Sequence, residues 1–179
     1  MKHSFQIWMS VTATSGDDTF CTYFAGGSPN PPINPFVELL YWLTGRCRHT
    51  FPSIGASLVE KIPSSAEDDA EMRKLRDSLL QELEELLGND GVFIYPTHPR
   101  PAPYHNETVL TPFNCGYTGI FNVLGVPVTA VPMGLAPKEE VPTGIQVVAS
   151  RYCDRLTLAV AVELEKACGG WVPPFKVSS

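Results

Sequence analysis

None of the five cysteines, Cys21, Cys47, Cys115, Cys153 and Cys168, stands in a Cys-x-x-Cys pair, and no histidine completes a zinc ligand set around them. Their odd number and wide spacing also exclude a disulfide framework, so a reduced, intracellular setting is expected. Basic residues are scarce: 13 Lys and Arg against 19 Asp and Glu leave a net charge of −6, which gives a nucleic acid nothing to bind. No apolar run approaches the roughly 20 residues that a membrane-crossing helix needs. The opening MKHSFQIWMSV has one lysine and no long apolar core of a signal peptide. No glycine-rich phosphate loop follows a strand, and no internal repeat is visible.

What the chain does have is 44% hydrophobic residues over 179 positions, enough for one core. Residues 1–10 read as a short helix or strand. Residues 11–35, rich in Gly, Pro, Ser and Asn, read as a long loop. Two apolar segments then run from Phe36 to Ile62, split at Gly45 and restarted at Pro52, where proline suits the first turn of a helix. They predict a helical hairpin.

The strongest pattern begins at Ser64. Ser64 and Glu67 have capping-box spacing, acids crowd the first turn, and Met72, Leu75, Leu79, Leu83 and Leu86 repeat every three or four residues until Gly88. A strand over GVFIYP, a proline-rich extended segment and a short helix ending at Gly125 follow. Two apolar runs come next, Val126, Val128, Ala130 and Val131, then Ile145, Val147, Val148 and Ala149; each reads as a strand buried on both faces. An amphipathic helix over CDRLTLAVAVELEKACGG closes the pattern. Alternating helices and buried strands predict an α/β sandwich.

Candidate chemistry is thin. Ser28 follows Gly26-Gly27, but Pro29 removes an N–H that an oxyanion loop would use, and only Lys2 precedes it as a base; a turn is the better reading. Ser64 and Ser65 read as a helix cap. His98, His105 and Glu107 could be imagined around a metal, yet their spacing fits no helix face. Cys115 stands near a helix start, where a dipole favours a thiolate, but a small core cysteine is the simpler assignment. No catalytic and no metal-binding residue is therefore assigned.

Three motifs in order change the picture: Tyr95-Pro96-Thr97 after a strand, Leu124-Gly125-Val126-Pro127 between a helix and a strand, and Pro142-Thr143-Gly144-Ile145-Gln146-Val147-Val148 on the next strand. Over Asp90 to Lys166 this combination resembles the C-terminal part of the amidase-signature hydrolases, and flanking stretches such as SFQIW, TFPSIGASLVEK and LEKACGGWVPP resemble the fatty-acid amide branch. The resemblance implies a partial α/β/α sandwich, a mixed sheet covered by helices, with the N-terminal catalytic core missing. Residues 1–179 would form the C-terminal portion of one domain, with 11–35 as loop, 36–62 as a membrane-facing hairpin and 90–166 as the family core.

In the family a nucleophilic serine attacks the amide, and a lysine acts as base through a bridging serine in a cis peptide. Those residues precede the stretch matched here, so this chain alone is expected to be inactive, and no cofactor is implied. The resemblance places Gly116, Gly119, Ile120 and Val123 beside the acyl channel, the two glycines leaving room for a lipid tail. Ordinary helix-to-sheet packing explains the same spacing equally well.

The resemblance likewise gives the hairpin a membrane-interface role through Phe36, Leu39, Leu40, Trp42, Leu43, Phe51, Ile54 and Leu58, with Arg46, Arg48, His49 and Lys61 at its ends. Core packing or contact with a second copy of the chain would use the same residues. The expected partners are a lipid amide in the full-length enzyme and a membrane or lipid-droplet surface, with no nucleic acid. A non-catalytic interaction or regulatory module derived from the same fold is the alternative.

Overall fold

The computed structural model describes residues 3–14, 18–62, 64–105, 107–138 and 140–171. In chain order it contains helices α1 (Ser4–Thr14), α2 (Phe20–Phe24), α3 (Pro35–Leu43), α4 (Phe51–Val59) and α5 (Ala66–Leu87), then strand β1 (Val92–Pro96). Helix α6 (Gly116–Leu124), strands β2 (Val128–Leu135) and β3 (Pro142–Ala149) and helix α7 (Asp154–Cys168) follow. The chain divides into two compact units, Met1–Trp8 with Lys74–Ser179, and Met9–Arg73.

The larger unit is built on a three-stranded antiparallel sheet in the order β1-β3-β2. Partners facing each other across an antiparallel ladder put their side chains on the same face. Phe93 and Tyr95 of β1 therefore share a face with Val148 and Gln146 of β3 and with Val128 and Ala130 of β2. Helix α6 covers that face over β1, its Phe121 ring lying 6.5 Å from Phe93 and 5.8 Å from Tyr95. On the opposite face α7 packs against β2 and β3, where Thr129 Oγ1 donates to Thr157 Oγ1 at 2.8 Å.

Ile120, Phe121, Leu124, Val131, Val147, Val148 and Ala149 form the core between these layers. The architecture is α/β with helices on both faces, and the three strands among the described residues are antiparallel. Gly125 ends α6 in the left-handed region, at φ +67°, the conformation that a helix C-cap takes and that glycine adopts without a Cβ penalty.

Only one of the two apolar runs is buried on both faces. β3 is enclosed from Gln146 to Ala149, but β2 alternates, with Val128, Ala130 and Pro132 exposed and Val131 buried. The reason is placement: β3 is central and β2 lies at an edge.

Helix α5 also departs from the expected stripe. Leu80, Leu83 and Leu87 are its buried residues, Met72, Leu75 and Leu79 are half-buried, and Leu86 is 77% exposed. Its cap sits one residue later than expected: Ser65 Oγ accepts the Asp68 N–H at 3.0 Å, while Ser64 Oγ donates to Asp69. Ser65 is thus the side chain that satisfies an otherwise orphaned amide.

The smaller unit holds most of what was read as the 11–35 loop, and much of it is helical. α1 runs to Thr14, and α2 occupies Phe20–Phe24. Thr19 caps α2, and the Glu60 carboxylate accepts the first two α2 amides, those of Phe20 and Cys21, at 3.2 and 3.3 Å. Gly26, Gly27 and the prolines that follow supply the turn, so composition concealed one ordered turn of helix. In α3, Asn34 caps the Phe36 amide and Pro35 occupies the first turn; in α4, Pro52 does the same.

Candidate functional site

Helix α6 carries the residues assigned to an acyl channel. Gly116, Gly119 and Ile120 are buried, and Val123 is half-buried. The space beside the glycines is filled. A Cβ on Gly116 would sit 3.2 Å from the Phe5 backbone nitrogen, and one on Gly119 would sit 2.8 Å from the Trp8 indole. Phe5 and Trp8 stand three residues apart on α1, and the two glycines stand three apart on α6, so Gly116 admits the α1 backbone at Phe5 and Gly119 admits the Trp8 ring. The glycines here admit a helix in close contact.

Beside that contact opens a cleft of about 310 Å³ lined by Ser4, Phe5, Gln6, Tyr95, Phe113, Gly116 and Tyr117. Its walls are aromatic. Phe5 meets Phe113 edge-on at 4.9 Å, and Tyr95 stacks on Tyr117 at 5.5 Å. Burial pushes the Tyr95 phenol up, and the neighbouring Tyr117 adds to the shift.

One polar side chain binds the frame together. Gln146, 3% exposed, donates through Nε2 to the carbonyls of Pro96 and Tyr117, each at 2.9 Å, linking β3 to the end of β1 and to α6. A glutamine inside an apolar strand is the signal that could have marked it, because a buried amide needs partners. Phe5, Trp8, Tyr95 and Tyr117 were not assigned to the site from the sequence.

The other candidates fall away from catalysis. Ser28 is exposed in a turn, and Lys2 lies outside the described residues. His98 Nδ1 pairs with the Arg100 carbonyl at 2.8 Å, and the Glu107 carboxylate is engaged by Arg100 and by the Tyr104 N–H. Those bonds, led by Arg100, hold Glu107 below the usual carboxylate range. Among the described residues no group of three His, Cys, Asp or Glu side chains is placed to hold a metal ion. Cys115 is solvent-exposed rather than a core residue; its thiol donates to the Pro112 carbonyl at 3.1 Å, and desolvation pushes it up, away from the thiolate form.

In the smaller unit, α3 and α4 pack together and leave much apolar surface in water. Phe36, Leu40 and Leu43 are 62%, 63% and 68% exposed, and Trp42 and Phe51, with rings 4.9 Å apart, are also exposed. Leu39 and Leu58 are half-buried. Ile54 is fully buried, so its placement on an interfacial surface is corrected: it faces inward on the same helix as the buried Ser57. At the connecting turn Cys47 Sγ donates to Glu38 at 3.1 Å, with His49 Nε2 4.0 Å from the same carboxylate. No helix among the described residues is long and apolar enough to cross a membrane.

Comparison with known proteins gives this frame a lineage. The chain is 46% identical over 183 residues to fatty-acid amide hydrolase 2-A of Danio rerio, covering 99% of this chain and 34% of that protein. It is 44% identical over 182 residues to fatty-acid amide hydrolase 2 of Homo sapiens, covering 98% of this chain and 34% of the relative. The chain is similar to fatty-acid amide hydrolases and to amidase-signature structures. It corresponds to their C-terminal third, spanning about a third of the length of the curated relatives it matches. A crystal structure of an amidase superposes with a TM-score of 0.51 at 26% identity, covering 65% of this chain and 28% of that one. No family model matches the sequence. The amidase-signature sheet expected from Tyr95-Pro96-Thr97, Gly125-Val126-Pro127 and the Gln146 strand is thus present in part, as β1, β2 and β3.

Proposed function

We propose that this chain is the C-terminal part of a serine hydrolase that cleaves fatty-acid amides to the free acid and the amine, and that it carries no catalytic residue of its own. The observation behind this reading is the 46% identity to fatty-acid amide hydrolase 2-A along nearly the whole chain. An amide-hydrolase origin agrees with it, and the sheet frame latched by Gln146 fits a supporting role. Nucleophile, bridging serine and lysine base would come from upstream, with no metal or cofactor. Both compact units would belong to one amidase-signature domain. Gly116, Gly119, Ile120 and Val123 would border the acyl channel, with Phe5 and Trp8 narrowing it and the aromatic cleft by Tyr95 opening beside it.

A chimera tests this directly. The corresponding C-terminal third of the Danio rerio enzyme is replaced by this chain, and hydrolysis of a long-chain primary fatty amide is measured. Retained hydrolysis within about tenfold of the parent, a change of roughly 1.4 kcal/mol in the barrier, supports the reading. A folded chimera that hydrolyses no fatty amide contradicts it.

The exposed face of α3 and α4 supports a second element of the proposal, peripheral attachment to an intracellular membrane or lipid droplet. Apolar residues next to Arg46, Arg48 and Lys61 suit an interface, where an apolar face buries and basic groups meet anionic lipid. The double variant Leu40→Glu/Leu43→Glu is expected to lower the fraction that floats with vesicles containing phosphatidylserine by at least about tenfold, since each change replaces an inserted apolar group with a charge repelled by the surface. Equal flotation of variant and parent removes the membrane reading. A shift from dimer to monomer without any vesicle binding in the parent assigns the face to a second copy instead.

A further inference from the structure

The turn between α3 and α4 holds an acid with one partner in place and a second within reach. Glu38, in the first turn of α3, has only 16% of its side chain exposed. Its Oε2 accepts the Cys47 S–H at 3.1 Å, and the Cys47 sulfur accepts the His49 N–H at 3.3 Å. Desolvation, with Glu38 adding to it, pushes the Cys47 thiol up, so the sulfur keeps the proton that makes this bond. The His49 Nε2 lies 4.0 Å from the same oxygen, in a side chain 21% exposed. That gap is too long for a hydrogen bond. A neutral imidazole leaves it unused, whereas an imidazolium is drawn across it to a carboxylate that water only partly screens.

The charged surroundings of His49 are simple. Besides Glu38, α3 has one other ionisable side chain, Tyr41, and α4 has none between Phe51 and Val59. The turn itself supplies Arg46, Cys47 and Arg48. Both arginines are exposed, and among the described residues neither forms an ion pair with an acid. Protonation of His49 therefore adds a third cation to the turn and cancels its one carboxylate. The change falls beside Trp42, Leu43 and Phe51, the exposed apolar groups at the same end of the helix pair.

We propose that His49 and Glu38 form a proton-operated latch that strengthens docking of the α3–α4 face on an anionic lipid surface as pH falls. The latch presupposes the membrane reading given above. The occupant follows from charge complementarity: cations flanking an apolar face suit a bilayer whose surface is negative, and Glu38 is the group at the turn that such a surface repels. Histidine is the side chain that changes charge between about pH 5 and 8, so the turn gains its cation on the acid side of that range and loses it on the basic side. One basic group close to an anionic surface is expected to raise the partition constant about fivefold.

The test floats the full chain with vesicles of phosphatidylcholine and phosphatidylserine at about pH 7.5 and about pH 5.5. The expected result is binding about fivefold tighter at the acid pH, with the gain screened away by salt. His49→Asn is expected to match the parent at the higher pH and to lose the gain. His49→Lys, charged throughout, is expected to bind at the higher pH as tightly as the parent does at the lower, with no further increase. A gain retained in His49→Asn would overturn the latch and assign the effect to the general loss of acidic charge. Equal flotation of the parent at both pH values would overturn the latch and leave the membrane reading standing. A parent that floats at neither pH removes both.

Discussion

Phe121→Ala is expected to destabilise the larger unit by about 3–5 kcal/mol, the usual cost of emptying a phenylalanine site in a packed core. Phe121 is 1% exposed and stands where α6 meets β1, with Phe93 and Tyr95 against its ring. Removing it leaves a cavity between a helix and a strand that cannot both collapse, because Gln146 holds β1 and α6 to β3 at fixed spacing. Urea unfolding monitored by tyrosine and tryptophan fluorescence checks it. The control is Leu158→Ala on the outward side of α7, where the side chain is 57% exposed and the expected change is about 0.5 kcal/mol or less. A loss below about 1 kcal/mol for Phe121→Ala would mean that α6 does not anchor the sheet.

The elements with strong local signals were legible in the sequence. The acidic first turn and leucine repeat of α5, the strand ending at Pro96, and the helix ending at Gly125 all depend on neighbours within a few residues. What failed was information that only the tertiary arrangement supplies. Val128 and Val148 read alike as strand residues, but one lies on an edge strand and the other is enclosed. Leu86 and Leu87 both fit a helical stripe, and only the direction from which the helix is covered decides between them. Ile54 looked like a surface partner of Phe51, yet the small Ser57 shares its inward face, and a serine does not announce a core position. The α2 turn was hidden by the glycines and prolines around it.

The site was legible in part. The glycines at 116 and 119 were singled out by their helical spacing and by the family resemblance, but neither could say what fills the holes. Phe5 and Trp8 lie more than a hundred residues away in sequence, and nothing local pairs them with α6. Gln146 was visible within its motif without a role. Its two carbonyl partners, on Pro96 and Tyr117, come from separate elements and become its partners only when the sheet closes.

Under the proposed function the chemistry would reside upstream and support would reside here. An activated serine needs a base within hydrogen-bond reach and donors for the oxyanion. Ser65 accepts a helix amide and Ser64 donates to the Asp69 carboxylate, so both oxygens are already engaged. Ser57 is fully buried and closed to a substrate, and Ser28 stands exposed in a turn next to a proline that offers no N–H. None of these serines has the surroundings of a nucleophile.

The most direct measurement is to treat the purified chain with a fluorophosphonate probe, beside Danio rerio fatty-acid amide hydrolase 2-A, and to read labelled peptides by mass spectrometry. The account predicts labelling of the full-length relative and none of this chain. Labelling of this chain at a defined serine, abolished by changing that serine to alanine, would contradict it and place a catalytic set within these 179 residues.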